Sequence, residues 1–344
     1  MEKNTKALPR IGHGPDNLKK RVIIIDGLNT YLRSYVINPT ISPNGEPIGG
    51  LKGFLMSLQK YCRILSPTDI VVVWDGPGGS IKRKRINRGY KQGRKPVRLN
   101  RNIRLLDEQQ EVKNKIWQQT RLVQYLNEMP VCQLMLNNVE ADDIISYVAK
   151  SDVFAGQQKV IISSDRDFLQ CCDSETVLYR PLPKQDYQII NTVTVCDEYK
   201  IHPLNIALAR AMAGDKSDNL PGIPGVGLKT VAKRLPFLSE DVSHSTEHVL
   251  DYCMDKVAEG KTAFFGKVVE QKQTFLTNYR MMQLDNSNIS YVGLKQVKST
   301  LENYHKGVNR TEIVKCMHKD GISSTDWTDL FIALNKISMV GKND

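Results

Sequence analysis

The chain has 344 residues, and its 48 lysines and arginines outnumber its 37 acidic residues, giving a net charge of +11 and a pI of about 9.2. This excess of positive charge favours a polyanionic partner, most often nucleic acid, and the length suits about two domains. The seven scattered cysteines include no C-x-x-C pair, which disfavours a disulfide framework and a zinc site.

The first 20 residues form a basic extension without the apolar core of a signal peptide, and no apolar run approaches the length of a membrane span. We therefore expect a soluble protein of a reducing compartment, most simply the cytoplasm.

Short apolar runs alternate with helix-length patterns along the first half of the chain. Four such runs, at 21–27, 68–76, 131–138 and 159–167, predict buried parallel strands. The intervening patterns predict helices at about 50–64, 103–129 and 140–150. Strands alternating with helices predict an α/β domain with a mostly parallel central sheet flanked by helices.

Acidic residues end three of the predicted strands and follow the other one, at 131–138: Asp26, Asp75, Glu140, Asp142, Asp143, Asp165 and Asp167. Each acid alone would suit a helix cap or a turn. Ligands of parallel sheets bind beyond the carboxyl ends of the strands, where seven carboxylates would repel one another. A hard divalent cation, Mg²⁺ or Mn²⁺, would relieve that repulsion, and the lack of nearby histidines disfavours zinc.

The positive charge is concentrated in residues 82–104. This segment contains no acid and eleven basic residues: Lys82, Arg83, Lys84, Arg85, Arg88, Lys91, Arg94, Lys95, Arg98, Arg101 and Arg104. It lies between a predicted strand and a predicted helix, which favours a phosphate-binding segment that orders on nucleic acid. A passive, solvated loop is the alternative.

Residues 206–235 predict a helix, a glycine-rich hairpin and a second helix. The first helix ends at Gly214, and Asp215 and Asp218 add two further carboxylates. The hairpin is PGIPGVG at 221–227, and the second helix carries basic residues. This helix-hairpin-helix pattern is typical of proteins that grip a DNA backbone without reading its sequence; a plain helical turn is the alternative.

Together these motifs resemble the 5′-nuclease family, which includes bacteriophage 5′→3′ exonucleases, flap endonucleases and the 5′-nuclease domain of bacterial DNA polymerase I. The matching pieces occur in the family order: IIIDG, VVWDG, R-x6-YK-x2-R from Arg83 to Arg94, VEADD, ISSDRDF and GDKSDNLPGIPGVGLKT. The resemblance covers about residues 20–240, extends loosely to 285, and is greatest to the bacteriophage members.

The resemblance implies two divalent ions, Mg²⁺ or Mn²⁺, held by nine acids. The first ion would be held by Asp26, Asp75, Glu140 and Asp142, with Asp143 nearby. The second would be held by Asp165, Asp167, Asp215 and Asp218. Either Asp142 or Asp165 would lie between the ions, and a K⁺ ion would bind at the helix-hairpin-helix.

The resemblance also assigns basic residues. Catalytic roles fall on Arg83, Tyr90, Lys91 and Arg94 at the base of a basic helical arch, and DNA-binding roles on Lys84, Arg85, Arg88, Gly222, Gly225, Gly227, Lys229 and Lys233. The implied substrates are DNA with a 5′ flap, nick or end and RNA–DNA hybrid, cut by either exonuclease or flap-endonuclease action. A monomer without membrane contact is expected, with replication proteins such as a single-strand-binding protein or sliding clamp as partners.

The predicted domains are an extension at 1–20, a nuclease core at 21–200 with its arch at about 80–128, a helix-hairpin-helix region at 201–285, and a C-terminal region of unassigned role at 286–344. Two rival functions are a DNA-junction-binding protein with an inactive nuclease fold and a ribonuclease of the related PIN fold. Retention of all nine acids opposes the first, and the hairpin and basic segment oppose the second.

Overall fold

The computed structural model describes residues 20–340 except 104 and 285–287. The predicted N-terminal extension, apart from Lys20, and Arg104 of the basic segment lie outside the described residues.

The strands are β1 (Arg21–Asp26), β2 (Asp69–Val73), β3 (Cys132–Leu134), β4 (Gln158–Ile162), β5 (Thr176–Pro181), β6 (Tyr187–Ile190), β7 (Gly214–Asp215) and β8 (Leu220–Pro221). The α-helices are α1 (Gly27–Ile37), α2 (Gly49–Leu65), α3 (Ile81–Ile86), α4 (Glu108–Asn127), α5 (Ala141–Lys150), α6 (Thr192–Tyr199), α7 (Pro203–Ala213), α8 (Leu228–Arg234), α9 (Thr246–Ala258), α10 (Phe265–Glu270), α11 (Lys272–Met282), α12 (Tyr291–Asn303), α13 (Arg310–Lys319) and α14 (Thr328–Val340). Short 3₁₀ helices cover Asp152–Phe154, Asp167–Cys171, Pro183–Gln185 and Pro236–Ser239.

The described chain forms two compact units. Of the described residues, the sheet unit contains 20–77, 95–103, 105–163 and 289–340, and the hairpin unit contains 78–94, 164–284 and 288.

In the sheet unit, four parallel strands lie in the order β3-β2-β1-β4. Ile24 of β1 pairs with Val71 of β2 on one side and Ile161 of β4 on the other. All three side chains are fully buried, as expected for apolar strands covered on both faces. Because the strands are parallel, their carboxyl ends meet at one edge.

Helices cover this sheet. Helix α2 packs against α1, α4 and α14, and α12 packs against β3. Ile313, Leu330 and Leu334 of the C-terminal helices are fully buried, so the region after residue 288 contributes to the core of the sheet unit.

The hairpin unit is built around α7, which packs against α8, α11 and the 3₁₀ helix Asp167–Cys171. Strands β5 and β6 of this unit pair in antiparallel fashion. Helix α3 carries part of the basic segment and packs against α11. The two-residue strands β7 and β8 close the tight hairpin that follows α7.

The predicted class, an α/β fold with a mostly parallel sheet, is confirmed, and the element boundaries differ locally. Strand β4 ends at Ile162, so Asp165 lies in a loop and Asp167 begins a 3₁₀ helix. The helix predicted from residue 103 begins at Glu108, because Asp107 and Gln110 form a capping box there. Residues 87–103 of the basic segment are turns and irregular chain. No helix among the described residues is long and apolar enough to span a bilayer.

Candidate active site

The first acidic group, Asp26, Asp75, Glu140, Asp142 and Asp143, belongs to the sheet unit. Asp26 is the last residue of β1, and its Oδ1 accepts a hydrogen bond from the backbone N–H of Asn29 at 3.0 Å, which caps α1. Its Oδ2 accepts a hydrogen bond from the Ser163 hydroxyl at 3.0 Å. The carboxylate is therefore fixed at the carboxyl edge of the sheet.

The other acids of this group meet at the start of α5. The Asp75 side chain follows β2 and accepts a hydrogen bond from the backbone N–H of Ala141 at 2.8 Å. Glu140 is the N-cap of α5, and Asp142 and Asp143 lie in its first turn, where the helix dipole favours negative charge. Glu140 and Asp143 are only 3% and 2% exposed, which is unusual for carboxylates.

The second acidic group, Asp165, Asp167, Asp215 and Asp218, belongs to the hairpin unit. The backbone N–H of Asp167 donates to Oδ1 of Asp165 at 2.8 Å. Arg210 of α7 joins two of the acids, because its Nη2 lies 2.6 Å from Oδ1 of Asp167 and 2.7 Å from Oδ2 of Asp215. A buried arginine thus bridges residues that are 48 positions apart in the chain, counted from 167 to 215.

The ionisation of these acids reflects that arrangement. Burial raises the pKa of Asp167 to about 7; the charge of Arg210 opposes this rise, and the neighbouring carboxylates of Asp165, Asp218 and Asp215 add to it. Burial also opposes ionisation of Asp215, but hydrogen bonds from Ser217 and the charge of Arg210 outweigh it, so the pKa of Asp215 lies below its usual value. The single positive charge of Arg210 does not remove the repulsion among these four carboxylates, and a divalent cation would reduce it further.

The YK-x2-R motif lies directly against this group. The backbone N–H of Lys91 donates to the carbonyl of Asp218 at 2.9 Å, and Nε of Arg94 donates to the carbonyl of Ser217 at 3.0 Å. A second guanidinium nitrogen of Arg94 is paired with the Asp218 carboxylate. The side-chain amide of Asn219 donates to the carbonyl of Gly89 at 2.8 Å. The structure thus brings together a basic motif and an acidic loop that the sequence separates by more than a hundred residues.

The remaining arch residues divide into buried and exposed sets. Arg83 is buried and donates through Nε to the carbonyl of Met281 at 2.9 Å, which anchors α3 to the end of α11. Tyr90 is 3% exposed, and the Lys91 ammonium lies 4.9 Å from its ring centroid. Lys84, Arg85 and Arg88 are exposed. A contact of Arg83 or Tyr90 with substrate would therefore require a local rearrangement.

The predicted helix-hairpin-helix consists of α7, the β7–β8 hairpin, residues 222–227 and α8. Gly222 is required by close packing, since a Cβ atom there would lie 2.1 Å from the Ala213 carbonyl oxygen. Gly225 has a φ of +77°, which favours glycine. Gly227 is the N-cap of α8, and Lys229 and Lys233 of α8 are exposed. The Lys267 ammonium donates to the Pro224 carbonyl in the hairpin at 3.4 Å.

The donor chemistry of both acidic groups fits a hard divalent cation, because every candidate ligand is a carboxylate and several are buried. Across residues 20–340, gaps aside, no three His, Cys, Asp or Glu side chains are already arranged around one point as ligands of an ion. Several of the carboxylates instead engage Arg210, Arg94, Ser163 or backbone N–H groups.

Sequence reasoning missed Arg210 and the serines that orient the acids. Ser217 donates to Oδ1 of Asp215 through its backbone N–H at 2.7 Å and its hydroxyl at 2.6 Å. One signal was available for Arg210: it is the only charged residue in IALARAMA, a helix segment otherwise suited to burial. A single charge in such a helix indicates an ionic partner.

Carboxylates gathered at the carboxyl edge of a mostly parallel sheet define the class as an α/β protein with acidic sites suited to divalent cations. The model of the 5′-3′ exonuclease N-terminal resolvase-like domain matches residues 21–200, and the chain belongs to this 5′-3′ exonuclease family. The 5′-3′ exonuclease of Aquifex aeolicus is 31% identical over 214 residues, which cover 61% of this chain and 67% of that protein.

DNA polymerase I of Bacillus caldotenax is 31% identical over 222 residues, covering 63% of this chain and 23% of the polymerase. The chain thus matches about a quarter of the length of its DNA polymerase I relatives. The T5 5′-exonuclease solved with bound zinc superposes with a TM-score of 0.62 at 15% identity, covering 82% of this chain and 99% of that one. Flap endonuclease-1 from Methanococcus jannaschii gives a TM-score of 0.52 at 15% identity, covering 94% of each chain. These two likenesses support the fold.

Proposed function

We propose that this protein is a divalent-metal-dependent 5′-nuclease that hydrolyses phosphodiesters near the 5′ end of DNA. The observation that carries the proposal is the contact between the second acidic group and the YK-x2-R motif. The backbone N–H of Lys91 and the guanidinium of Arg94 join this motif to the loop that carries Asp218, and Arg94 also pairs with the Asp218 carboxylate. Carboxylates that suit metal ions therefore lie beside basic residues that suit a phosphate. Membership of the 5′-3′ exonuclease family supports phosphodiester hydrolysis as the reaction at this site.

Each acidic group would hold one divalent ion, Mg²⁺ or Mn²⁺. Asp26, Asp75, Glu140 and Asp142 are the ligands we propose in the sheet unit, with Asp143 supporting them, and Asp165, Asp167, Asp215 and Asp218 those in the hairpin unit. Once bound, such ions activate water and neutralise charge on the reacting phosphate. Asp26 and Asp75 are already oriented by Ser163 and the start of α5, so their direction is set by the fold.

Lys91 and Arg94 would stabilise the negative charge that grows on the phosphate oxygens during hydrolysis. Arg94 must exchange its present partner, Asp218, for the phosphate. Its side chain is half-exposed, so solvent weakens the ion pair and permits the exchange. Tyr90 would stack on a base beside the cut only if it left its buried position. Arg83 holds α3 through the carbonyl of Met281, so the catalytic role proposed for it would require it to leave that contact.

The exposed residues Lys84, Arg85 and Arg88 and the helix-hairpin-helix would bind the DNA backbone. Gly222, Gly225 and Gly227 allow close approach of the hairpin, and Lys229 and Lys233 add positive charge, with a K⁺ ion at the hairpin as a further contact. Such contacts are independent of base sequence, so binding should weaken steeply with salt.

The proposed substrates are 5′ flaps, nicks and ends, and RNA–DNA hybrid as in a primer. The protein would act as a monomer in the cytoplasm, with replication proteins such as a single-strand-binding protein or a sliding clamp as partners. The absence of disulfides among the seven described cysteines suits a reducing compartment.

A cleavage assay on two 5′-labelled substrates, a flap duplex and a matched blunt duplex, tests the proposal. Each is incubated with Mg²⁺ or with EDTA, and Asp142→Asn serves as the inactive control. A Mg²⁺-dependent, flap-length product is expected from the wild-type protein. Stepwise short products from both substrates would assign mainly exonuclease action. Tight flap binding without cleavage would overturn the proposal and support a junction-binding protein. A labelled single-stranded RNA is included as a third substrate, and its preferential cleavage would overturn the proposal in favour of a PIN-type ribonuclease.

A further inference from the structure

Arg210 occupies an unusual position for an arginine. It projects from α7, its side chain is 10% exposed, and one guanidinium nitrogen lies within 2.7 Å of carboxylate oxygens of both Asp167 and Asp215. Elsewhere in the hairpin unit, Arg94 also pairs with an acid, but its side chain is 49% exposed. The second acidic group therefore has one buried cation and one that solvent can reach.

Arg210, Asp167 and Asp215 form a cluster from which no single member can be removed without leaving uncompensated charge. Removing two carboxylates and a guanidinium from water is costly unless the groups satisfy one another. Leu208, Ala209 and Met212, the neighbours of Arg210 on α7, are buried, so the backbone that carries the Arg210 side chain is held in place. A guanidinium stays charged at physiological pH, so Arg210 is a permanent cation between the two carboxylates.

The contacts also fix the direction of each carboxylate. Oδ2 of Asp215 faces Arg210, and Oδ1 accepts two hydrogen bonds from Ser217. Oδ1 of Asp167 faces Arg210, which leaves its second oxygen outside this ion pair. Asp167 is thus held through one oxygen and can present the other to an ion. Both oxygens of Asp215 are held in place, and each keeps further acceptor capacity for an ion. Contacts of this kind are how outer partners orient metal ligands.

We propose that Arg210 is the positioning residue of the second divalent-ion site: it aims Asp167 and Asp215 at the ion and is itself neither a ligand nor a contact of the DNA. This inference rests on the proposed function, because it takes the second acidic group to be an ion site. An alternative role is a passive counter-ion, whose charge would repel a divalent cation and whose removal would strengthen ion binding.

Mn²⁺ binding to the full chain without DNA distinguishes these roles. The affinity and stoichiometry are measured by calorimetric titration for the wild type, Arg210→Met and Arg210→Lys. Asp167→Asn and Asp142→Asn identify which binding step belongs to the second and first acidic groups. Arg310→Met is the matched control, since it removes the same charge from an exposed arginine of the sheet unit. Thermal unfolding in EDTA confirms that each variant is folded.

We expect Arg210→Met to weaken the binding step that Asp167→Asn removes by about 10- to 100-fold, the usual effect of losing an outer partner of a metal ligand. The step removed by Asp142→Asn should be unchanged. Mn²⁺ binding by Arg210→Lys at this step should also be weaker than in the wild type. A lysine restores the charge but not the planar fork that reaches two carboxylates. A purely structural role would change the unfolding temperature and leave the affinity of the folded protein unaltered.

Unchanged or tighter Mn²⁺ binding by folded Arg210→Met would overturn the inference. If Arg210→Met does not fold, wild-type affinity in Arg210→Lys would overturn it equally. These results would leave the proposed nuclease intact if the wild-type protein binds Mn²⁺ and cleaves the flap. A wild-type protein that binds no Mn²⁺ would instead overturn the ion sites and this inference together.

Discussion

Arg94 and Asp218 form an ion pair in the hairpin unit, although the sequence predicts that Arg94 contacts a phosphate and Asp218 a metal ion. The same arginine also donates to the Ser217 carbonyl, so the YK-x2-R motif is attached to the acidic loop by side-chain as well as backbone contacts. The guanidinium that would bind a phosphate and the carboxylate that would bind an ion are therefore paired with each other. Arrival of a divalent ion and of DNA would separate them and give each its functional partner.

This pairing predicts opposite effects of one substitution on binding and on catalysis. Arg94→Ala should raise the Mn²⁺ affinity of the protein without DNA by about threefold, the effect of removing one weak, exposed ion pair. The same variant should lower the single-turnover cleavage rate by about 100-fold, as loss of a charge-stabilising donor does. Arg94→Lys keeps the charge and should therefore bind Mn²⁺ as the wild type does, more weakly than Arg94→Ala. Parallel losses of Mn²⁺ affinity and cleavage in Arg94→Ala would contradict the exchange of partners.

Asp142 and Asp152 offer a matched test of the first acidic group. Both lie in the sheet unit, but Asp142 is in the first turn of α5 and Asp152 pairs at the surface with Lys298 at 2.7 Å. Asp142→Asn should abolish Mg²⁺-dependent cleavage, with a loss of at least about 1,000-fold, because an amide cannot supply the carboxylate charge. DNA binding should be unchanged or tighter, since a negative charge near the phosphate is removed.

Asp152→Asn removes the same charge and should leave cleavage within about twofold of wild type, since an exposed ion pair contributes little. Single-turnover rates and flap affinities of the two variants, measured side by side, provide the check. Full cleavage by Asp142→Asn would exclude this residue from the ion site.

The sequence predicted the parallel strands and the acids that follow them because both depend on local pattern. An apolar run such as VIII at 22–25 specifies a buried strand, and Asp26 at its end is fixed by chain order. The partner of an acid is different, because it depends on how distant segments pack. Arg210 reaches Asp167 across 43 positions of sequence, counted from 167 to 210, and no local pattern encodes that distance.

The basic segment shows a second limit of prediction from sequence, which concerns burial. Its charge pattern predicts an exposed, phosphate-binding surface, which suits Lys84, Arg85 and Arg88. Arg83 and Tyr90 lie in the same run but are buried, and Arg83 donates to a carbonyl at the end of α11. A charge count cannot distinguish neighbouring arginines that face different surroundings, so the catalytic roles of these two residues stay predictions.

Asp69 provides a stability test away from the acidic groups. It is 4% exposed at the start of β2, and its Oδ1 accepts hydrogen bonds from the Tyr304 hydroxyl and the Lys306 ammonium, each at 2.8 Å. Tyr304→Phe should lower the free energy of unfolding by about 1.5 to 3 kcal/mol, the usual contribution of a hydrogen bond to a charged group. Urea unfolding provides the measurement.

Tyr291→Phe is the control for this change, since the Tyr291 side chain is 70% exposed and its loss of a hydroxyl should be nearly neutral. Cleavage should be the same in both variants. Equal stability of Tyr304→Phe and Tyr291→Phe would show that the Asp69 cluster does not hold the segment after α12 to the sheet.

Tyr61 of α2 predicts how stability changes at alkaline pH. Burial raises the pKa of its phenol to about 12, with small opposing effects from Arg33, Ser57 and Thr30. Below the ordinary tyrosine pKa of about 10, both the folded and unfolded states are neutral, so this contribution to stability is constant. Above it, the unfolded state loses the proton first, and the contribution is lost as the pH rises through the folded-state value.

At a pH of about 11, the loss attributable to Tyr61 should be about 1.4 kcal/mol relative to a pH of about 9, because one unit of pKa difference has then been expressed. Urea unfolding of the wild type and Tyr61→Phe at both pH values measures it. The phenylalanine variant carries no titrating group there, so its stability should fall less by that amount, whatever constant cost the missing hydroxyl imposes. Identical pH dependence of the two proteins would mean that the Tyr61 phenol ionises as readily in the folded state as in the unfolded one.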